Sequence, residues 1–218
     1  MVRPIDLSHI IFEGLVTYPG LPPPVIRDHL SRADSRRHYA PGTEFHIARI
    51  EMVANTGTYL DAPSHRFDGR SDLAELPLAS LADLDGVVLR PEREGRAIGG
   101  EALGSADLRG KAVLVETGWD RHFGTPAYFT GHPFLTREAA RRLADGGAAL
   151  VGIDSLNVDD TADGARPAHT ILLDAGIPIV EHLTGLAALP GSGFRFFAVP
   201  PRIRGMGTFP VRAFALVP

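Results

Sequence analysis

The sequence predicts a mixed α/β fold, and three observations carry that prediction. Short apolar runs alternate with helical patterns in the second half of the chain, while strand-like segments dominate the first half. Across 218 residues there are 24 glycines and 18 prolines, which ask for many tight turns without reaching a disordered composition. A hydrophobic fraction of 44% at this length is enough for a sizeable core, and one domain over residues 1–218 is the expected organisation.

The elements follow in order. The stretch from Pro19 to Gly42 mixes prolines with charges and reads as an extended arm or flap that could cover a site. Phe45 to Ala54 alternates loosely and contains Ile, Val and Phe, which favours a strand. Lys111 to Trp119 begins with a short apolar run of the kind found in buried strands. In "TREAARRLADGG", Thr136 can cap a helix, Glu138 suits its positive start, and Gly146 or Gly147 suits its stop. Ala148 to Asp154 is a second buried strand, so strand, helix and strand form a parallel crossover. Downstream, Pro167 fits the first turn of a helix through "AHTILLDA", Gly176 ends it, and Ile177 to Leu183 returns as a strand.

Composition removes several functions. The formal charge is −4 and no run of Lys or Arg exceeds two, which argues against a nucleic-acid or anionic-membrane surface and leaves small molecules as partners. With no cysteine, thiolate zinc sites, disulfides and cysteine nucleophiles are excluded, so any metal must be held by His, Asp or Glu. No segment approaches the length of a membrane span, and a cytoplasmic protein is expected. There is no G-x-S-x-G elbow and no P-loop. "DSLNVDDTADG" lacks calcium-loop spacing and reads as a solvated turn or a substrate-side wall. Trp119, His122 and His132 fall in a loop-rich link, where a buried Trp with loop histidines is the commoner arrangement and an aromatic pocket wall the alternative.

One stretch carries chemistry. In "VANTGTYLDAPSHRF" (Val53 to Phe67), Thr56 and Thr58 are β-branched, Gly57 weakens a helix and Pro63 breaks one, so the chain should be extended. Period two then places Asn55, Tyr59, Asp61 and His65 on one face. Any one of them alone would be an ordinary strand-edge residue. Four capable groups together, framed by Gly and Pro, point to a site.

This stretch resembles the signature of the cyclase family, H-x-G-T-H-x-D-x-P-x-H, whose members include kynurenine formamidases (arylformamidases) and isatin hydrolase. Here it stands as N-T-G-T-Y-L-D-A-P-S-H, Asn55 to His65. Similar stretches are "IDLSHIIFEGLVTYPG", "LVETGWDRHFG", "LVGIDSLNVDD" and "PAHTILLDAGIPIVEHL", so the resemblance covers most of the chain. It implies a three-layer β/β/α domain with mixed sheets, a homodimer or homotetramer, and a site for a divalent metal, zinc or manganese. Carried over, Asp61, His169 and Glu181 are metal ligands and His65 is the acid–base residue. The sequence departs from the motif at Asn55 and Tyr59, which replace two histidines. A neutral amide is a weak zinc ligand and a phenol must lose a proton near pH ~10 before it binds well, which argues against a two-metal site. Near a helix start, the dipole should favour the neutral imidazole of His169 that a metal requires.

The resemblance implies a hydrolase of a small amide, lactam or N-formyl amine, with Tyr59 or Asn55 donating a hydrogen bond to the developing oxyanion. Two alternatives stand beside it: a metal-free enzyme running on His65, Asp61 and Tyr59, and a non-catalytic small-molecule binding protein on the same scaffold.

Overall fold

A computed structural model describes residues 1–92 and 94–218, and in chain order its elements are β1 (Arg3–Asp6), β2 (Val25–Leu30), α1 (Arg32–Ser35), β3 (Ile47–Glu51), β4 (Tyr59–Asp61), β5 (Leu84–Leu89), β6 (Ala97–Ile98), β7 (Ala112–Val115), β8 (Phe134–Leu135), α2 (Arg137–Asp145), β9 (Leu150–Ile153), α3 (Pro167–Asp174), β10 (Ile179–Glu181), β11 (Ser192–Phe197), β12 (Thr208–Pro210) and β13 (Phe214–Val217). Nine strands form one mixed sheet in the order β1-β13-β11-β5-β7-β9-β10-β4-β12. Its centre, β5-β7-β9-β10, is parallel, and both wings are antiparallel. The central strands read as continuous apolar runs because they are covered on both faces.

Alternation along β5 divides the interior in two. Val87 and Leu89 face a core shared with Ala139, Leu143, Leu172 and Ile179, under α2 and α3. Leu84 and Val88 face the opposite core, with Leu60 of β4, Phe194 and Phe196 of β11 and Ala215 of β13. Residues from the middle and from both wings meet in that second core, so the sheet curls over it. The result is a helix layer over a curled mixed sheet, made from one continuous sheet.

The two helices follow their sequence signals. Thr136 Oγ1 accepts from Ala139 N at 3.3 Å to start α2, and Gly146 closes it by donating to Arg142 O at 3.0 Å. Ala139, Ala140 and Leu143 supply the buried stripe. α3 has Pro167 at its first turn but Arg166, with φ +46°, in the cap position. Its capping oxygens come from Asp159 instead, as described below. Within residues 19–42 the chain forms β2 and α1, and β2 pairs with β3 in an exposed antiparallel ribbon. No helix among the described residues is long and apolar enough to cross a membrane.

Candidate active site

The extended reading of Asn55 to His65 is corrected by the structure. Only Tyr59–Asp61 is strand. Gly57 has φ +67°, where a Cβ would also meet Ile11 Cγ1 at 2.8 Å, so the alternation breaks between Asn55 and Tyr59. After Asp61, Pro63–His65 folds into a 3₁₀ turn, with His65 N donating to Ala62 O and Phe67 N to Pro63 O. Fixed φ at Pro63 makes that residue a starter of the turn rather than a continuation of the strand. The four residues still gather: Asn55, Tyr59 and His65 line a cavity of about 340 Å³ with His169 and Glu181, and Asp61 lies beneath it within 3.7 Å of both imidazoles.

Register explains the convergence of distant residues. β4 lies between β10 and β12, pairing Tyr59 with Glu181 on one side and Asp61 with Thr208 on the other. Tyr59 and Asp61, two apart, project to one face. From α3's first turn, His169 completes the group: its Nε2 is 3.6 Å from Asp61 Oδ2 and 3.7 Å from Glu181 Oε1. The carboxylates are fully buried and His169 nearly so.

Hydrogen bonds assign the protons. Asp61 is a buried carboxylate and can only accept, so the Thr208 hydroxyl donates to Asp61 Oδ1. That hydroxyl oxygen then accepts from His65 Nδ1 at 2.7 Å, the arrangement in which a neutral ring carries its lone pair on Nε2. Gly207 permits this approach, because a Cβ there would sit 2.5 Å from His65 N. His169 Nδ1 bonds Asp159 Oδ2 at 2.7 Å, while the same carboxylate accepts from Ala168 N at 2.6 Å and His169 N at 3.0 Å. One residue both caps α3 and orients the imidazole.

Glu181 is held from three directions. Oε1 accepts from Val158 N at 2.7 Å, and Oε2 accepts from Tyr59 Oη at 2.7 Å and Asn157 Nδ2 at 3.2 Å. Behind Tyr59 lies His182, with Nε2 at 3.3 Å from the phenol and Nδ1 at 2.8 Å from Tyr128 Oη. Burial pulls the His182 imidazole down to about 3, so it is neutral. A consistent chain follows: Tyr128 donates to His182, His182 to Tyr59, and Tyr59 to Glu181. Burial, then the charge of Glu181, raise the Tyr59 phenol well above its ordinary value, so it stays protonated.

Without an ion, the carboxylates around His169 favour its protonated form. Burial lowers its affinity for the proton, but Glu181, Asp159 and Asp61 together outweigh burial, and its pKa rises to about 10. Two things could satisfy this cluster: a proton on Nε2, or a cation in its place. Asp61 Oδ2 is buried with no hydrogen-bond partner. Separations of 3.6 and 3.7 Å are too long for hydrogen bonds, yet close to the ~3.4 Å expected between tetrahedral ligands ~2.1 Å from a common metal. The residues therefore fit a divalent ion. Ligand atoms of Asp61, His65 and His169 all lie within 4.8 Å of one another and are the set that could hold an ion, while Glu181 Oε1 approaches that set through His169 Nε2.

Sequence reasoning missed Thr208, Asp159, Asn157, His182 and Tyr128. The "DSLNVDDTADG" stretch is not simply a solvated turn, since Asn157 and Asp159 are buried at the centre of the network. A polar residue ahead of an uncapped helix was the available signal for Asp159. Trp119 and His122 sit in a half-buried 3₁₀ turn, and His132 is buried with Nε2 donating to Asp159 O at 3.0 Å.

Comparison with known proteins places the chain among relatives of the same length and fold. The chain is 30% identical over 223 residues to a kynurenine formamidase of Geobacillus thermodenitrificans, covering 98% of this chain and 97% of the relative. It is 27% identical to the corresponding protein of Salinibacter ruber, covering 96% and 95%. Among solved structures, isatin hydrolase A from Labrenzia aggregata superposes with a TM-score of 0.83 at 24% identity, over 99% of this chain and 94% of that one. Residues 5–160 match the family described as "Putative cyclase", a span that holds the whole Asn55–His65 motif, and the chain belongs to that family.

Proposed function

We propose that the protein hydrolyses the C–N bond of a small amide, lactam or N-formyl amine, with one divalent metal, zinc or manganese, held by Asp61, His169 and Glu181. The observation that carries this reading is His169 Nε2 standing between an unpartnered Asp61 Oδ2 and Glu181 Oε1. The relatives named kynurenine formamidase support the bond type. A bound divalent ion supplies Lewis-acid polarisation of the carbonyl and a lowered pKa for water.

The protein's own groups do the rest. His65, whose Nδ1 is turned to Thr208, takes a proton at Nε2 from the attacking water and returns it to the leaving nitrogen as the C–N bond breaks. Asn55 donates to the developing oxyanion. Tyr59 acts beside it by holding Glu181, because its one hydroxyl proton is directed at that carboxylate.

The Asp61–Thr208–His65 chain also supports a metal-free enzyme, since it orients a base without any ion. Elemental analysis of protein purified without added metal separates the two, together with turnover of a panel of formyl anilides and lactams before and after chelation. Absence of turnover across the panel would favour the binding-protein alternative. The exposed β2–β3 ribbon carries Ile26, Ile47 and Ile50, which supports assembly as a homodimer or homotetramer.

A further inference from the structure

The cavity above the carboxylates is walled by two arginines, Arg66 and Arg166, together with Tyr18. Neither guanidinium has a carboxylate within ion-pair distance among the described residues. Arg166 makes only long contacts with neutral acceptors: Asn157 Oδ1 at 3.5 Å, Asp160 O at 3.3 Å and Tyr18 Oη at 3.4 Å. The Asp160 carboxylate beside it is taken by Arg96 at 2.7 Å. Arg66 reaches Thr170 Oγ1 at 3.4 Å and stacks over Phe67. Each guanidinium carries five donors in a planar fork, more than these contacts use, and both residues line the cavity.

The backbone makes Arg166 more telling. Its φ of +46° is unfavourable for a residue with a Cβ, and more so ahead of Pro167. The helix gains nothing from arginine at its cap, since Asp159 does the capping. Glycine or asparagine would suit the backbone better. Strain of this kind at a cavity wall is explained by what the side chain does there.

We infer that Arg166 and Arg66 form an anion subsite, and that the substrate is a small amide bearing a carboxylate on the side away from the scissile bond. This rests on the hydrolase reading above and adds to it the class of substrate. The floor is acidic and would repel an anion, so the charge must be held at the wall and the amide directed inward. A cavity of about 340 Å³ lies at the small end of ligand sites and suits a molecule with one ring.

The test has a binding arm and a turnover arm. Benzoate and benzamide are titrated by calorimetry into wild type, Arg166→Gly, Arg166→Lys and Arg66→Gln. Wild type should bind benzoate at least ~10-fold more tightly than benzamide, weakening with salt. Arg166→Gly should lose that preference while melting at the same or a higher temperature, because its backbone strain is relieved. Arg166→Lys should keep part of it as a point charge, and Arg66→Gln should reduce it. In turnover, 3-formamidobenzoate should exceed formanilide in kcat/KM, and the ratio should approach one in Arg166→Gly through KM. Benzoate binding that is equal to benzamide in wild type, or untouched in the Arg166 variants, overturns the subsite. Arginine-dependent benzoate binding with no turnover of either anilide upholds the subsite and counts against the hydrolase reading instead.

Discussion

Replacing Asp159 tests the linkage between the helix and the candidate metal centre. Its carboxylate accepts three hydrogen bonds, two from the backbone at the start of α3 and one from His169 Nδ1. In Asp159→Ala the capping loss is ~1 kcal/mol and the loss of a charge-assisted bond to a buried imidazole ~1.5–3 kcal/mol. Taken together as about 3 kcal/mol, this lowers the melting temperature by roughly 6–12 °C for a chain of this size. His169 would also lose the partner that fixes its ring, and metal affinity should fall by ~10–100-fold. Asp159→Asn keeps one acceptor oxygen and should show a smaller fall in both quantities. Calorimetry of the chelated proteins reads the first effect, and competition with a chromophoric chelator reads the second. A chelated Ala variant that melts with wild type would refute the capping role. One that binds metal within about threefold of wild type would refute the orienting role.

Three further outcomes are expected. His65→Ala should reduce turnover by ~10²–10⁴-fold with little change in melting temperature, because the ring is one-third exposed; a large thermal loss would mean that it is a packing residue. Joint replacement Asn55→His with Tyr59→His should abolish turnover whether or not metal content per chain rises, and unchanged turnover in the double variant would remove any working role for the amide and the phenol. Burial raises Asp154 to about 6 despite its bonds from Thr117 and Gly118, so its folded-state pKa exceeds the unfolded value. Stability from that group is full below about pH 4 and is lost as pH climbs through about 6, by on the order of 3 kcal/mol. Unfolding free energies of wild type and Asp154→Asn at about pH 4 and about pH 7 should diverge against wild type, and a constant difference would contradict this.

The elements that could be read from sequence are those whose determinants are local. α2 carries its own cap, breaker and apolar positions, α3 its first-turn proline and apolar positions, and the runs around Ala112–Val115 and Leu150–Ile153 are apolar because the parallel centre is covered twice. The antiparallel wings leave no such trace: β1 pairs with β13 and β4 with β12, across most of the chain, through strands of three or four residues. Thr208 belongs to this class. Nothing near it in sequence marks a site residue, and it becomes one only because register sets it opposite Asp61. His182 was hidden differently, as one more residue of an apolar strand, although its φ of +56° and its buried bonds to two tyrosines set it apart in three dimensions.

Lone pairs, counted one by one, explain what the exchange of a motif histidine for Tyr59 does to the centre. A histidine at this place offers a nitrogen to a metal, whereas the protonated phenol offers a donor, and it aims that donor at Glu181 Oε2. Asn157 adds a second donor to the same oxygen. Glu181 thus turns only Oε1 toward His169, and Asp61 turns only Oδ2, since Thr208 holds Oδ1. His169 Nε2 lies 3.6 Å from Asp61 Oδ2 and 3.7 Å from Glu181 Oε1. A second ion would need nitrogens that Asn55 and Tyr59 do not have, and it would have to displace the Tyr128–His182–Tyr59 chain that keeps Glu181 in place. One ion, or one proton on His169, is what this arrangement can accommodate.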